Sequence, residues 1–292
     1  MQYDFYLKKM KRRDFLKILT IGVLGWSITP EVVAQNMEIL KQSPSENLDN
    51  HIKDYLNKMK YFNEPHDDDV QIDSATYKVC ASTVMRLNRL QQIVGHGNFQ
   101  ILSFDDGLKI AQKNSQIGKF SKAEIRFMEM IFYEEAKRYG FLGQKPMNKL
   151  TDRIKINEVI KVPHTGNYLY KGLPLETLKK IKQHLGEQVV LTSGIRGIMK
   201  QFLLFLNKVN KNNGNLSITS RSLAPPGYSF HGNGDFDVGQ VGFGAANFTE
   251  LFANTEVYKK LNELGYLKLR YPQENLTGVR FEPWHIKVST DI

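Results

Sequence analysis

Two short segments pair an imidazole with carboxylates closely enough to hold a metal ion and move a proton. The first runs Ser229-Phe230-His231-Gly232-Asn233-Gly234-Asp235-Phe236-Asp237-Val238, and the second is Phe281-Glu282-Pro283-Trp284-His285-Ile286. Neutral imidazole and carboxylate are the ligands that zinc takes when one coordination position is left open for water. His231 and Asp237 lie six residues apart, which on one extended strand would be about 20 Å. Ligands of one ion must come much closer, so the chain has to reverse between them. Gly232, Asn233 and Gly234 all tolerate the positive φ of a tight reversal. Asp235 and Asp237 point to the same side of a strand with Phe236 opposite, so either could be the carboxylate ligand. In the second segment Pro283 pushes Glu282 towards an extended or turn conformation. Trp284 to Val288 then alternates like a strand. Glu282 and His285 are therefore not the stacked pair of a metal-binding helix, and a Glu at the mouth of the strand can turn towards an ion held by His285.

Taken together these segments resemble the active-site motifs of the M15 zinc metallopeptidases, the VanY-type D-alanyl-D-alanine carboxypeptidases. That pattern is Ser-x-His-x-x-Gly-x-Ala-x-Asp followed near the C-terminus by Glu-x-Trp-His. Ser229, His231 and Gly234 match the first part, and Glu282, Trp284 and His285 match the second. The family's Asp lies seven residues after its His, whereas here Asp237 lies six after and Asp235 four after. A one-residue deletion in the turn favours Asp237, which is followed by the aliphatic Val238. A third element, Thr192-Ser193-Gly194-Ile195-Arg196, ends a β-type run and resembles the family's Ser-Gly-x-Arg. The likeness covers roughly residues 155–292.

The resemblance implies Zn²⁺ held by His231, Asp237 and His285 with water in the fourth position, and Glu282 as the general base. It implies that Arg196 grips the free carboxylate of a substrate, a task suited to its planar fork. Ser229 would hydrogen-bond the substrate backbone, and Trp284, counted with the substrate-binding residues, would pack beneath the ligand strand. The substrate implied is a peptidoglycan stem peptide, cut as a D-alanyl-D-alanine carboxypeptidase would cut it. An endopeptidase acting on cross-links, or a wall-binding module with a vestigial zinc site, are the alternatives. Taken singly, each motif has a blander reading as a surface His, a helix-start Arg or a packed Trp. Their order and spacing argue against coincidence. Among the other histidines only His164, in Val162-Pro163-His164-Thr165-Gly166, has a setting that suggests nearness to a substrate groove.

The elements that must position these residues alternate from about residue 151. β-type runs fall at Val159 to Val162, Val189 to Thr192, Leu216 to Thr219, Phe236 to Val238 and Trp284 to Val288. Helical patterns fall at Leu175 to Leu185, Gly197 to Lys211 and Phe248 to Gly265. This predicts an α+β fold in which a small antiparallel sheet carries the zinc site between flanking helices. Residues 35–150 read as a helical N-terminal region, ahead of a peptidase-like domain over 151–292. Leu48 to Tyr61 and residues 75–94 are helices by periodicity. Ser121 to Tyr139 is an amphipathic helix opened by a capping box from Ser121 to Glu124 and stopped by Gly140. Pro65 to Asp69 reads as a solvated turn, since its acidic residues lack the spacing and glycine of a calcium loop. Phe104 to Gly107 reads as a turn or helix cap.

Composition narrows the rest. The 292 residues are 41% hydrophobic and 24% charged, with one cysteine, Cys80, so neither an internal disulfide nor a thiolate metal site can form. Lys11-Arg12-Arg13-Asp14-Phe15-Leu16-Lys17 resembles a twin-arginine export motif. After it come an apolar run from Ile18 to Ile28, too short to span a bilayer comfortably, and the small-residue pattern Val32-Val33-Ala34. Residues 1–34 are thus read as a cleavable signal, which implies a periplasmic or cell-envelope protein with no stable membrane span. They carry six of the 40 basic and three of the 30 acidic residues, so the formal +10 falls to +7 without them. A basic surface suits an anionic partner such as a wall polymer. The lysines and arginines are scattered and no nucleic-acid-binding motif is present, which argues against nucleic acid.

Overall fold

The structure is a computed structural model, and its described residues are 44–288. The signal reading over residues 1–34 lies outside them. Nine α-helices and five short strands are present among the described residues. In chain order the first are α1 (Pro44–Lys60), α2 (Ser74–Val94), α3 (His96–Gln100), α4 (Phe104–Lys113) and α5 (Lys122–Tyr133). A hairpin comes next, β1 (Val159–Lys161) and β2 (Tyr168–Tyr170), then α6 (Leu173–Leu185), β3 (Val189–Ser193) and α7 (Ile198–Lys211). The chain ends through α8 (Leu216–Ser220), β4 (Phe236–Gln240), α9 (Glu256–Glu263) and β5 (His285–Ile286). From Ile52 onward it forms one compact unit. No helix among the described residues is long and apolar enough to cross a membrane.

Side-chain pattern explains how the helices assemble. In α2, Val84, Leu87 and Leu90 bury one face, which meets Phe202, Phe205 and Leu206 of α7 and Met128 and Phe132 of α5 in one core. Leu178 and Ile181 of α6, Leu191 of β3, Phe236 and Val238 of β4, and Val257 and Leu261 of α9 make a second core with Trp284 and Ile286. The expected mixed α+β class with small antiparallel sheets is what the chain adopts. Sheet order is β3-β4-β5, all antiparallel, with β1-β2 as a separate pair. Alternation along β4 sends Phe236 and Val238 into the second core and turns Asp237 to the opposite face. Across the sheet Ser193 pairs with Asp237, and Asp237 with His285, so three polar residues fall in one row. A register shift between Leu191 and Ser193 leaves Thr192 as an extra residue. Such bulges bend a strand and re-aim the side chains beyond them.

Several elements differ from the sequence expectation. Leu216 to Thr219 is not a strand but the helix α8, because the Asn215 side chain accepts from Ile218 N and starts a helical turn. The run from Phe248 to Gly265 is broken. Thr249 and Thr255 are extended, and each caps the helical turn after it, leaving two 3₁₀ turns before α9. Helix α5 keeps its capping box but stops at Tyr133, where Glu134 turns extended. Lys145 donates to the Phe132 carbonyl there and lies over the Phe132 ring, so a last-turn carbonyl is satisfied without further helix. Ala136–Tyr139 is a separate 3₁₀ turn ended by left-handed Gly140. Strand β2 has no counterpart in the expectation. The turn at residues 65–69 is present, yet Asp69 is not solvated: it pairs, buried, with Arg221 and accepts from Asn215 Nδ2 at 2.9 Å.

Candidate metal centre

The reversal after His231 is built from a 3₁₀ turn over Phe230–Gly232 and from Gly234, whose φ of 118° only glycine adopts without strain. Gly232 and Asn233 keep ordinary backbone angles, so one residue of the three supplies the freedom. The turn brings His231 beside Asp237 at the site end of β4, and β5 supplies His285 from the next strand. Nε2 of His231 lies 3.2 Å from Asp237 Oδ1, and Nδ1 of His285 lies 3.3 Å from the same oxygen. All three side chains are buried, and their candidate ligand atoms lie within 4.8 Å of one another.

The outer nitrogens fix which atoms face inward. Nδ1 of His231 sits 2.8 Å from the Gly194 carbonyl, to which it must donate, so Nε2 keeps its lone pair. Nε2 of His285 sits 3.1 Å from Asp235 Oδ2, which leaves Nδ1 facing Asp237. His231 Nε2 and Asp237 Oδ1 are buried without a hydrogen-bond partner of good geometry. Two orphaned polar atoms that face each other ordinarily cost several kcal/mol. The donor set suits a cation. Tetrahedral ligands about 2.0–2.1 Å from zinc are about 3.3 Å apart, which matches the 3.2 and 3.3 Å separations found at Asp237 Oδ1.

Electrostatics favours the ligand forms of two of the three. Burial holds the His231 imidazole below its usual range, and Arg196 adds to that. Burial pushes the Asp237 carboxyl up, but His231 and Arg196 outweigh it and keep the group well below the usual carboxylate range. For His285 burial works downward and is outweighed by Asp235, Asp237 and Glu282, so its imidazole is raised. Metal and proton therefore compete at Nδ1.

The remaining predicted site residues fall around this cluster unevenly. Glu282 is partly exposed, with Oε2 3.5 Å from His285 Nδ1. Its position is set by two turn bonds, its own N–H to Tyr271 O at 3.1 Å and His285 N–H to its carbonyl at 3.2 Å. Arg196 turns Nη2 to Asp237 Oδ2 and donates from Nε to Ser193 Oγ at 2.9 Å, so much of its fork already has partners. Ser229 is buried at the entry to the 3₁₀ turn. Trp284 lies in the second core, edge-on to Phe248 and covered by the Arg280 guanidinium at 4.9 Å. Its side chain is buried there. His164 sits at the exposed tip of the β1–β2 turn with φ 60°. Asp235, weighed as a ligand, is not grouped with the others. It meets His285 at the far ring nitrogen and accepts from Arg270 Nε at 2.7 Å.

Some contributors leave no motif in the sequence. Tyr168 O receives Ile195 N–H at 2.8 Å and lies against Gly194, so β2 seats the loop that presents Arg196. Gln201 on α7 donates to Arg196 O at 2.7 Å and accepts from Gly227 N, tying that loop to the helical core. The Gln100 carbonyl at the end of α3 accepts Gly197 N–H at 2.7 Å. Tyr271 packs edge-on to the His285 ring, 5.2 Å between centroids.

Residues 172–290 match the family model described as VanY: D-alanyl-D-alanine carboxypeptidase. The matched segment contains Arg196, Ser229, His231, Asp237, Glu282 and His285. No curated protein matches the chain. Among solved structures, half of the chain resembles an LdcB LD-carboxypeptidase described for peptidoglycan recognition, at 24% identity and a TM-score of 0.36, and spans 66% of that protein's length. A vancomycin-resistance D,D-pentapeptidase VanY in complex with Zn(II) is similar over 51% of this chain and 85% of its own, at 24% identity and a TM-score of 0.38. VanYB in complex with D-alanine-D-alanine gives the same identity and coverage with a TM-score of 0.39.

Proposed function

We propose that the chain is a zinc-dependent carboxypeptidase that removes the terminal D-alanine from peptidoglycan stem peptides in the cell envelope. One observation carries the reading: Asp237 Oδ1 stands at tetrahedral ligand spacing from the inward nitrogens of both His231 and His285. The family match over residues 172–290 supports the reaction and the substrate class. The resemblance of residues 11–17 to a twin-arginine signal supports export.

Zinc held by His231, Asp237 and His285 would supply Lewis acidity and a readily ionised water. Glu282 would serve as the proton acceptor, and then the donor to a departing amine, through its carboxylate. It is placed for both transfers because it borders the cluster yet keeps an exposed edge. His231 and His285 would bind the ion as neutral imidazoles, with their outer N–H groups held by Gly194 O and Asp235. Arg196 keeps Asp237 ionised and presents positive charge beside the scissile region, where the substrate's free carboxylate binds. Trp284, packed in the core behind β4 and β5, excludes water from the buried side.

The engagement of Arg196 by Asp237 and Ser193 favours one second reading, an endopeptidase that cuts cross-links and has no use for a free carboxylate. Digestion of purified muropeptides with analysis of the products by mass spectrometry separates the two. Release of a single D-alanine from pentapeptide stems is the expected product. Conversion of cross-linked dimers to monomers without that release would replace the carboxypeptidase reading.

A further inference from the structure

We propose that Asp235 is a positioning residue for the metal centre, holding His285 so that Nδ1 rather than Nε2 is presented to the ion. The proposal rests on the zinc reading above. Asp235 and Asp237 flank Phe236 and project to one side of the strand, so they reach His285 from opposite ends of its ring. Asp237 Oδ1 is 3.3 Å from Nδ1, and Asp235 Oδ2 is 3.1 Å from Nε2. A carboxylate at Nε2 requires the ring proton to sit there. The lone pair is thereby confined to Nδ1 and aimed at Asp237.

Asp235 is itself held firmly enough to do this. It is fully buried, with Oδ2 receiving Arg270 Nε at 2.7 Å and Oδ1 receiving Val288 N at 2.9 Å. The Arg270 guanidinium in turn lies 3.5 Å above the Phe230 ring, and Phe230 immediately precedes His231. A rigid path therefore runs from the His231 turn through Arg270 and Asp235 to His285. With both oxygens taken, Asp235 is a poor competitor for the ion, so two acidic residues two positions apart receive different tasks. The two histidines also differ in kind. His231 is oriented by a neutral carbonyl and His285 by a carboxylate, which makes His285 the more basic donor.

The test uses the full-length protein stripped of metal and then reloaded. Zinc affinity is read by competition with a chromophoric chelator, ligand geometry by the visible spectrum of the Co(II) form, and folding by the melting temperature of each metal-free variant. Asp235→Ala should weaken zinc binding about 10- to 100-fold and shift the Co(II) bands. Asp235→Asn keeps an acceptor for Nε2–H and should restore part of that loss while staying weaker than wild type. Arg270→Met removes the same ion pair but leaves the carboxylate on His285, still held by Val288 N–H, so its loss of zinc affinity should be smaller than that of Asp235→Ala. Wild-type affinity and spectrum in Asp235→Ala would overturn the assignment. So would a loss in Arg270→Met as large as that in Asp235→Ala, which would mark a purely structural ion pair. If Asp235→Ala does not fold, wild-type affinity in Asp235→Asn overturns it instead. A wild-type chain that takes up no zinc sinks the metal reading itself, and the positioning role with it.

Discussion

Gly194→Ala is a one-methyl change whose consequence can be worked from the packing. A Cβ at residue 194 would lie 2.1 Å from the Tyr168 carbonyl oxygen, 3.1 Å from its carbon and 3.3 Å from Asn167 Cβ. Side-chain carbons do not approach that oxygen closer than 3.0 Å, so the loop and β2 must part by about 0.9 Å. No rotamer change relieves the clash, because the obstacle is backbone and the same carbonyl accepts Ile195 N–H at 2.8 Å. The displacement falls on Gly194 O, which orients His231, and on Arg196 two residues later. Overpacking of this kind costs about 1–3 kcal/mol of stability, which for a chain of this size is a fall of roughly 2–10 °C in melting temperature. A shift of about 1 Å in a catalytic group can lower the rate about 10²-fold, equivalent to about 2.7 kcal/mol of transition-state stabilisation. The assay is kcat/KM for D-alanine release from a peptide ending in D-Ala-D-Ala, with melting measured in parallel. Wild-type kcat/KM together with a wild-type melting temperature would refute the reasoning that β2 seats the Ser193–Arg196 loop.

Two other perturbations probe the base and a buried ammonium. Glu282→Gln preserves shape but removes the base, so hydrolysis should fall about 10²- to 10⁴-fold while zinc per chain, measured by elemental analysis, stays at the wild-type value; full activity would end the assignment. Lys200, buried at the start of α7 and donating to Gln91 Oε1, has its ammonium pushed down to about 8 by burial, with Arg196 adding to it. Its charged form therefore costs stability below about pH 8, and that cost fades as pH rises from about 8 towards 10.5. Allowing for solvent screening of the ammonium, about 2 kcal/mol is at stake. Denaturant titrations of wild type and Lys200→Met across this range should show wild type gaining on the variant as pH rises, and parallel curves would contradict it.

Much of this fold can be read from local pattern, and the part that cannot has a physical cause. Helices α2, α6 and α7 and strands β1, β3 and β4 are legible from periodicity, because each buries one face against a continuous core. Strand β2 is three residues long, with a single buried Leu169 between two half-buried tyrosines, too little alternation to register. Leu216 to Thr219 has β-type residues, but Asn215 supplies a helix cap, and capping outweighs propensity in so short a segment. At the candidate site the reversal after His231 is legible from Gly234. The choice between Asp235 and Asp237 is not legible from strand pattern, because both project to one side of the strand, and only the resemblance to the family motif favours Asp237 there. In the structure the pairing of Asp237 with His285 across β4 and β5 separates them, and that register depends on contacts some 50 residues apart in sequence. Trp284 shows the converse: beside a site histidine in sequence, it faces the core because alternation along β5 turns neighbours to opposite sides.

The central claim is that hydrolysis depends on one zinc ion at His231, Asp237 and His285. Titrating zinc into the metal-free protein while monitoring D-alanine release from a D-Ala-D-Ala peptide tests this most directly. The account predicts no release at zero zinc, a linear rise that saturates at one ion per chain, and no rise in His285→Ala. Release that is independent of zinc, or that survives in His285→Ala, would contradict it.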